Sequence, residues 1–141
     1  GNLTVSLPQK EILLQKDLKN KGWDRDYDLE FLNSEGKISV RVLGRSKLCA
    51  GVSSLPFPLM PGGAYRIAFE VRGHARFQVL AYVNDSKRID LLPGTALTDE
   101  WVKIDAHFIS PEDGKEAKIS CFAWQQPGCV FEIKNFRVEA R

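Results

Sequence analysis

Several things are missing from this sequence, and each absence removes a class of answer. No apolar run approaches the roughly 18 residues that a membrane-crossing helix needs, so no membrane partner is expected. Only three cysteines occur, Cys49, Cys121 and Cys129, and no C-x-x-C pair is among them. That excludes a zinc ribbon and a thioredoxin motif, and an odd number allows at most one intramolecular disulfide. The turn expected between Cys121 and Cys129 keeps them from the direct opposition that a strain-free bridge needs, so free buried thiols are expected. The two histidines, His74 and His107, belong to no H-E-x-x-H or H-x-H pattern. Metal binding by them is not expected.

Signatures of catalysis are absent as well. No G-x-S-x-G elbow or triad-bearing loop supports acyl transfer. Neither G-x-G-x-x-G after a strand nor G-x-x-x-x-G-K-[ST] offers a phosphate cradle. Glycoside hydrolysis needs two placed carboxylates, and among eighteen acidic residues nothing singles out a pair. The expectation is a protein that is not an enzyme. The net charge is only +2, with the basic residues scattered along the chain, which argues against nucleic acid as the main partner. The chain opens on Gly1 without a charged n-region and an apolar h-region, so compartment has to be argued indirectly.

What is present points to a folded, strand-rich chain. At 141 residues, 43% hydrophobic and 27% charged, the composition is that of a globular domain large enough to bury a core without a staple. One domain over residues 1–141 is expected. Val, Ile, Phe and Tyr fall in short alternating runs bounded by Gly, Pro, Asn and Asp, the pattern of half-buried strands. Leu3 to Leu7 is a first candidate strand, and Glu11 to Leu18 fits either a strand or a short helical stretch. Leu29 to Leu32, the turn Asn33-Ser34-Glu35-Gly36 and Lys37 to Leu43 read as a hairpin in which Ile38, Val40 and Val42 share a buried face. A strand carrying Tyr65, Ile67, Phe69 and Val71 starts after Pro61-Gly62-Gly63. Further runs cover Arg76 to Val83, Trp101 to Phe108, Ala117 to Trp124 and Val130 to Val138, the last two joined by Gln125-Gln126-Pro127-Gly128 as a hairpin loop. About eight such strands, with no repeat or heptad, predict an all-β, two-sheet antiparallel β-sandwich of the jelly-roll kind.

The stretch from Pro61 to Gly73, PGGAYRIAFEVRG, resembles the central signature of the galactose-binding-like jelly rolls, notably the xylan- and glucan-binding modules of bacterial glycoside hydrolases. Thr98-Asp99-Glu100-Trp101-Val102-Lys103 is similar to that family's tryptophan before a strand ending in Phe. Val130 to Val138 resembles its closing strand, and Gly22-Trp23 its early Gly-Trp. The resemblance implies a carbohydrate-binding module with no catalytic role, carried beside an enzyme in a secreted or periplasmic protein. Its expected partner is a polysaccharide or oligosaccharide such as β-glucan or xylan, and the chain itself is expected to be monomeric. Many of these modules hold a structural calcium through an Asp in the closing strand. This chain has Lys134 and Asn135 there, and an ammonium repels a cation that seeks about six or more oxygens, so no cofactor or metal is expected.

In the resembling modules the ligand lies across the concave face of one sheet, on the strands matching Arg76–Val83 and Ala117–Trp124. If Phe77, Val79 and Ala81 face the core, Gln78, Leu80 and Tyr82 face out; if Ile119, Cys121 and Ala123 face in, Ser120, Phe122 and Trp124 face out. Sugars pair their C–H faces with aromatic rings and their hydroxyls with planar polar groups. Gln78, Tyr82, Phe122 and Trp124 are therefore the central candidate ligand-binding residues, all expected to be exposed, with Arg76, Trp23 and Gln125 extending the surface. The other face assignment would bury Phe122 and Trp124, and for Trp23 and Trp101 packing is the leading role. A second reading keeps the same fold without a sugar site, as a structural or protein-contacting sandwich of a larger protein. Asn2-Leu3-Thr4 and Asn84-Asp85-Ser86 match the glycosylation sequon, which matters only in a eukaryotic secreted protein.

Overall fold

A computed structural model describes residues 5–6, 14–16, 29–34, 37–42, 49–124 and 129–140. Within them run twelve strands: β1 (Val5–Ser6), β2 (Leu14–Lys16), β3 (Leu29–Ser34), β4 (Lys37–Val42), β5 (Cys49–Ser54), β6 (Phe57–Pro58), β7 (Ala64–His74), β8 (Arg76–Val83), β9 (Lys87–Ala96), β10 (Val102–Ile109), β11 (Glu116–Trp124) and β12 (Val130–Ala140). They form two six-stranded antiparallel sheets. The first has the order β10-β7-β12-β4-β3 with β1 against β12, the second β2-β5-β11-β8-β9 with β6 against β11. The fold is an all-β sandwich of the jelly-roll kind. No helix among the described residues is long and apolar enough to cross a membrane.

Alternation in the sequence becomes the two faces of each sheet. In β7, Tyr65, Ile67, Phe69 and Val71 are buried, while Arg66, Glu70 and Arg72 on the opposite face are half-buried. The strand starts where Pro61 and Gly62 turn the chain: Gly62 takes φ 71° and the Gly63 N–H donates to the Met60 carbonyl at 2.9 Å. Proline second and a positive-φ glycine third is what a type II turn demands. Tyr65 then secures the turn by accepting the Met60 N–H at its hydroxyl, 2.6 Å away.

Side chains from both sheets close the core. Phe77 of the second sheet meets Phe69 at 6.1 Å and Phe131 at 5.2 Å from the first, and Tyr65 stacks on Phe108 at 5.4 Å. Burying each such ring contributes about 1.5–3 kcal/mol; the Phe77 contacts tie the two sheets together, while Tyr65 and Phe108 join β7 to β10 within the first. Ile119, Cys121 and Ala123 of β11 face the same core, as the alternation predicted. Cys121 is a buried free thiol, and Cys129 is buried as well.

Two expectations need correction. β11 and β12 do not pair as a hairpin, because β11 belongs to the second sheet and β12 to the first; the loop 125–128 expected between them lies outside the described residues. Local turn chemistry marks where a strand ends, not which sheet receives the next one. The strand count also falls short at β5, at the two-residue β6 and at β9. Strand β5, Cys49–Ser54, reads CAGVSS, too poor in large β-formers to stand out; β9, Lys87–Ala96, carries Pro93-Gly94 and lies at the sheet edge, where proline is tolerated.

Candidate functional site

The pairing of β8 with β11 sets the candidate site. Arg76 is opposite Trp124, Gln78 opposite Phe122, Leu80 opposite Ser120 and Tyr82 opposite Lys118. Directly opposed residues in an antiparallel pair share a face, so one register gathers five of the seven candidate positions on the face turned away from the core. Strand β5 adds Gly51 opposite Phe122 and Ser53 opposite Ser120; β9 adds Arg88 opposite Tyr82 and Asp90 opposite Leu80. These flanking residues were missed because their strands were missed.

Exposure is where the structure departs from expectation. Gln78 retains only 8% of its accessible surface and Phe122 only 3%; Leu80, Ser53 and Ser120 are buried with them. Leu80 and Phe122 form a small apolar cluster apart from the main core, with half-buried Tyr82 packed against it. The expected open Gln78–Tyr82 pair and exposed Phe122 ring are thus corrected to a covered floor with Tyr82 at its margin. Strand alternation assigns a side chain to a face but does not say whether that face is open. Arg76 is exposed and lies along β9, where a Cβ on Gly94 would fall 2.6 Å from its Nε. Trp23 and Gln125, as well as the side chain of Trp124, lie outside the described residues.

The outer face of the first sheet is different in kind. Arg66 holds Asp105 in a two-pronged pair at 2.9 and 2.8 Å and reaches Glu139 at 3.2 Å; Asp105, then Glu139, keep its guanidinium above the ordinary arginine pKa. Glu132 joins Lys37 and Arg72, each at 2.8 Å, and accepts from the Ser39 hydroxyl at 3.3 Å. The Lys37 hydrogen bond, helped by Arg72, holds the Glu132 carboxyl below the usual range, and desolvation, second in size to the Lys37 bond, opposes it. Trp101 packs here, with the Arg72 guanidinium carbon 4.5 Å and the Lys134 ammonium 4.1 Å from its ring centre. Asn135, at φ 56° in a bulge of β12, donates to Glu70 at 2.7 Å. Lys134 and Asn135 thus each have a partner at the place where the resembling modules have their calcium aspartate. Among the described residues, no group of three or more His, Cys, Asp or Glu is placed to hold a metal.

No family model matches the sequence, and no curated protein does. Solved structures do match. A CBM4 carbohydrate-binding module superposes with a TM-score of 0.68 at 12% identity, over 92% of this chain and 86% of that one. The fold is the one these binding modules share. The CBM22-1 xylan-binding domain from Paenibacillus barcinonensis gives 0.60 at 16% identity, over 90% and 85% of the two chains. A cyclase from Fischerella sp. TAU gives 0.61 at 14% identity, over 99% and 98%. The same sandwich therefore serves a binding module and an enzyme, and function has to be argued from the site.

Proposed function

We propose that this chain is a non-catalytic module that binds a polysaccharide or oligosaccharide, of the β-glucan or xylan class, across the outer face of the β2-β5-β11-β8-β9 sheet. The observation that carries the reading is the asymmetry of the two outer faces. The first carries linked ion pairs around Arg66 and Glu132; the second has Arg88–Asp90 and Lys118–Asp85 beside a floor that buries Phe122, Leu80, Gln78 and Ser120 and leaves Tyr82 half-buried. A floor that mixes an aromatic ring, an amide and a hydroxyl is the chemistry that sugar recognition uses. In this reading Tyr82 and Trp124 offer ring faces to the sugar and Arg76 a forked donor. Gln78 and Phe122 set the shape of the floor beneath, and Gln125 and Trp23 extend the surface. No metal takes part. The module travels with an attached enzyme in a secreted or periplasmic protein and has no catalytic step of its own.

Burial of Phe122 and Leu80 also favours a second reading, in which this face is a packing surface within a larger protein. Affinity electrophoresis separates the two. Wild type, Tyr82→Ala and Trp124→Ala, each checked for folding by circular dichroism, are run against soluble β-glucans, xylans, mannans and galactans. Retardation by one polysaccharide that is lost in the folded variants supports the sugar site. No retardation by any of them moves the assignment to the packing module.

A further inference from the structure

The outer face of the first sheet holds a pocket of about 650 Å³ where β4, β7 and β12 come together, far in chemistry from the aromatic floor of the second sheet. Its base is backbone: Gly73 takes φ 152°, and a Cβ there would run into the Val130 carbonyl oxygen. Ser39, Arg41, Arg72, His74, Asp99 and Glu132 line it. The volume is within the range of about 300–1,000 Å³ typical of small-molecule sites.

The formal charges around the pocket balance, Arg41 and Arg72 against Asp99 and Glu132. Glu132 bonds Arg72 at 2.8 Å, and the His74 Nε2 lies 2.6 Å from the Asp99 carboxylate. An anion entering here would meet Asp99 and Glu132, and a cation would meet Arg41 and Arg72. Neither sign gains a net partner. Each paired group still has hydrogen-bonding capacity, since a guanidinium carries five N–H donors and a carboxylate about four acceptor positions. Arg72 is also held in place by the Trp101 ring beside it. Donors and acceptors side by side around a neutral space fit a ligand whose groups each donate and accept, which is a chain of hydroxyls.

We infer that this pocket is a second ligand site, for a short neutral oligosaccharide, on the sheet opposite the proposed polysaccharide face. It does not depend on the first face binding sugar. Asp99 and His74 are the wall residues that reach furthest into solvent, with 84% and 68% of their side-chain surfaces accessible, so either can be removed without opening the core.

The test is a nuclear magnetic resonance titration of the full chain with xylohexaose, cellohexaose and mannohexaose in turn. Saturable shifts of the Gly73, His74 and Val130 amides are expected with at least one of them. They should persist in Tyr82→Ala and weaken about five-fold or more in Asp99→Ala, with His74→Ala as the second variant should Asp99→Ala lose its spectral dispersion. A response confined to amides around Tyr82 overturns this site and leaves the first standing, whereas a response confined to Gly73, His74 and Val130 does the reverse. No response at either face overturns both, and shifts indifferent to both wall substitutions overturn the pocket assignment.

Discussion

Phe122 stands opposite Gly51 across the β5–β11 pairing, so close that a methyl group on residue 51 would lie 2.5 Å from the Phe122 Cβ and collide with the Cys121 carbonyl oxygen. The glycine lets the two strands approach at the floor of the proposed sugar-binding face. Gly51→Ala should therefore overpack the pair and cost about 1–3 kcal/mol, read as a lower urea midpoint at unchanged slope. An unchanged midpoint would show that the strands separate without cost.

Glu132 carries the clearest pH signature. Its carboxyl titrates below the ordinary range when folded, because Lys37 and Arg72 favour the charged form. The stability it contributes is complete above the unfolded glutamate pKa of about 4.3 and is lost as pH falls through the lowered folded value. Glu132→Gln should be less stable than wild type at neutral pH, with the two converging in acid. Parallel stability curves across that range would contradict the pairing.

Cys121 should be chemically silent in the folded protein. It is fully buried, and burial raises its thiol well above its ordinary pKa, which removes the reactive thiolate. A thiol reagent should label it in denaturant but not in buffer, as peptide mapping would show. Rapid labelling of Cys121 in the native protein would mean that the sandwich opens at β11.

Asn84 connects the β8–β9 turn to the segment before β11. Its φ is 53°, its Nδ2 donates to the Asp113 carbonyl at 2.8 Å, and its Oδ1 accepts the Lys115 N–H at 2.8 Å. Asn84→Gly keeps the backbone freedom and loses the amide, and should cost about 1 kcal/mol. Asn84→Ala loses both and should cost about 1 kcal/mol more. Equal melting temperatures for wild type and Asn84→Gly would mean that the amide bridge contributes nothing. The same Nδ2 is the atom that a glycan on the Asn84-Asp85-Ser86 sequon would occupy, which would leave it a single N–H for the bond to Asp113.

How far the fold could be read from the chain differs by strand. β8 was legible to its ends, since Phe77, Val79, Ala81 and Val83 alternate without interruption and every one faces the core. β9 was not, because Pro93-Gly94 breaks its pattern and its register against β8 shifts around Val79. The segment Leu14–Lys16, open between strand and helix on sequence alone, pairs with β5 as a strand.

By itself the sequence determined which residues of each alternating strand share a face, because successive side chains along an extended backbone must alternate. That grouped Arg76, Gln78 and Tyr82 along one strand and Phe122 and Trp124 along another, while setting the two strands side by side rested on the resemblance. Only the tertiary structure decided which sheet each strand joins, that β11 and β12 lie in different sheets, and that Gln78 and Phe122 are covered while Tyr82 is partly open. Those outcomes depend on contacts between residues far apart in the chain, and a local periodicity of two carries no information about them.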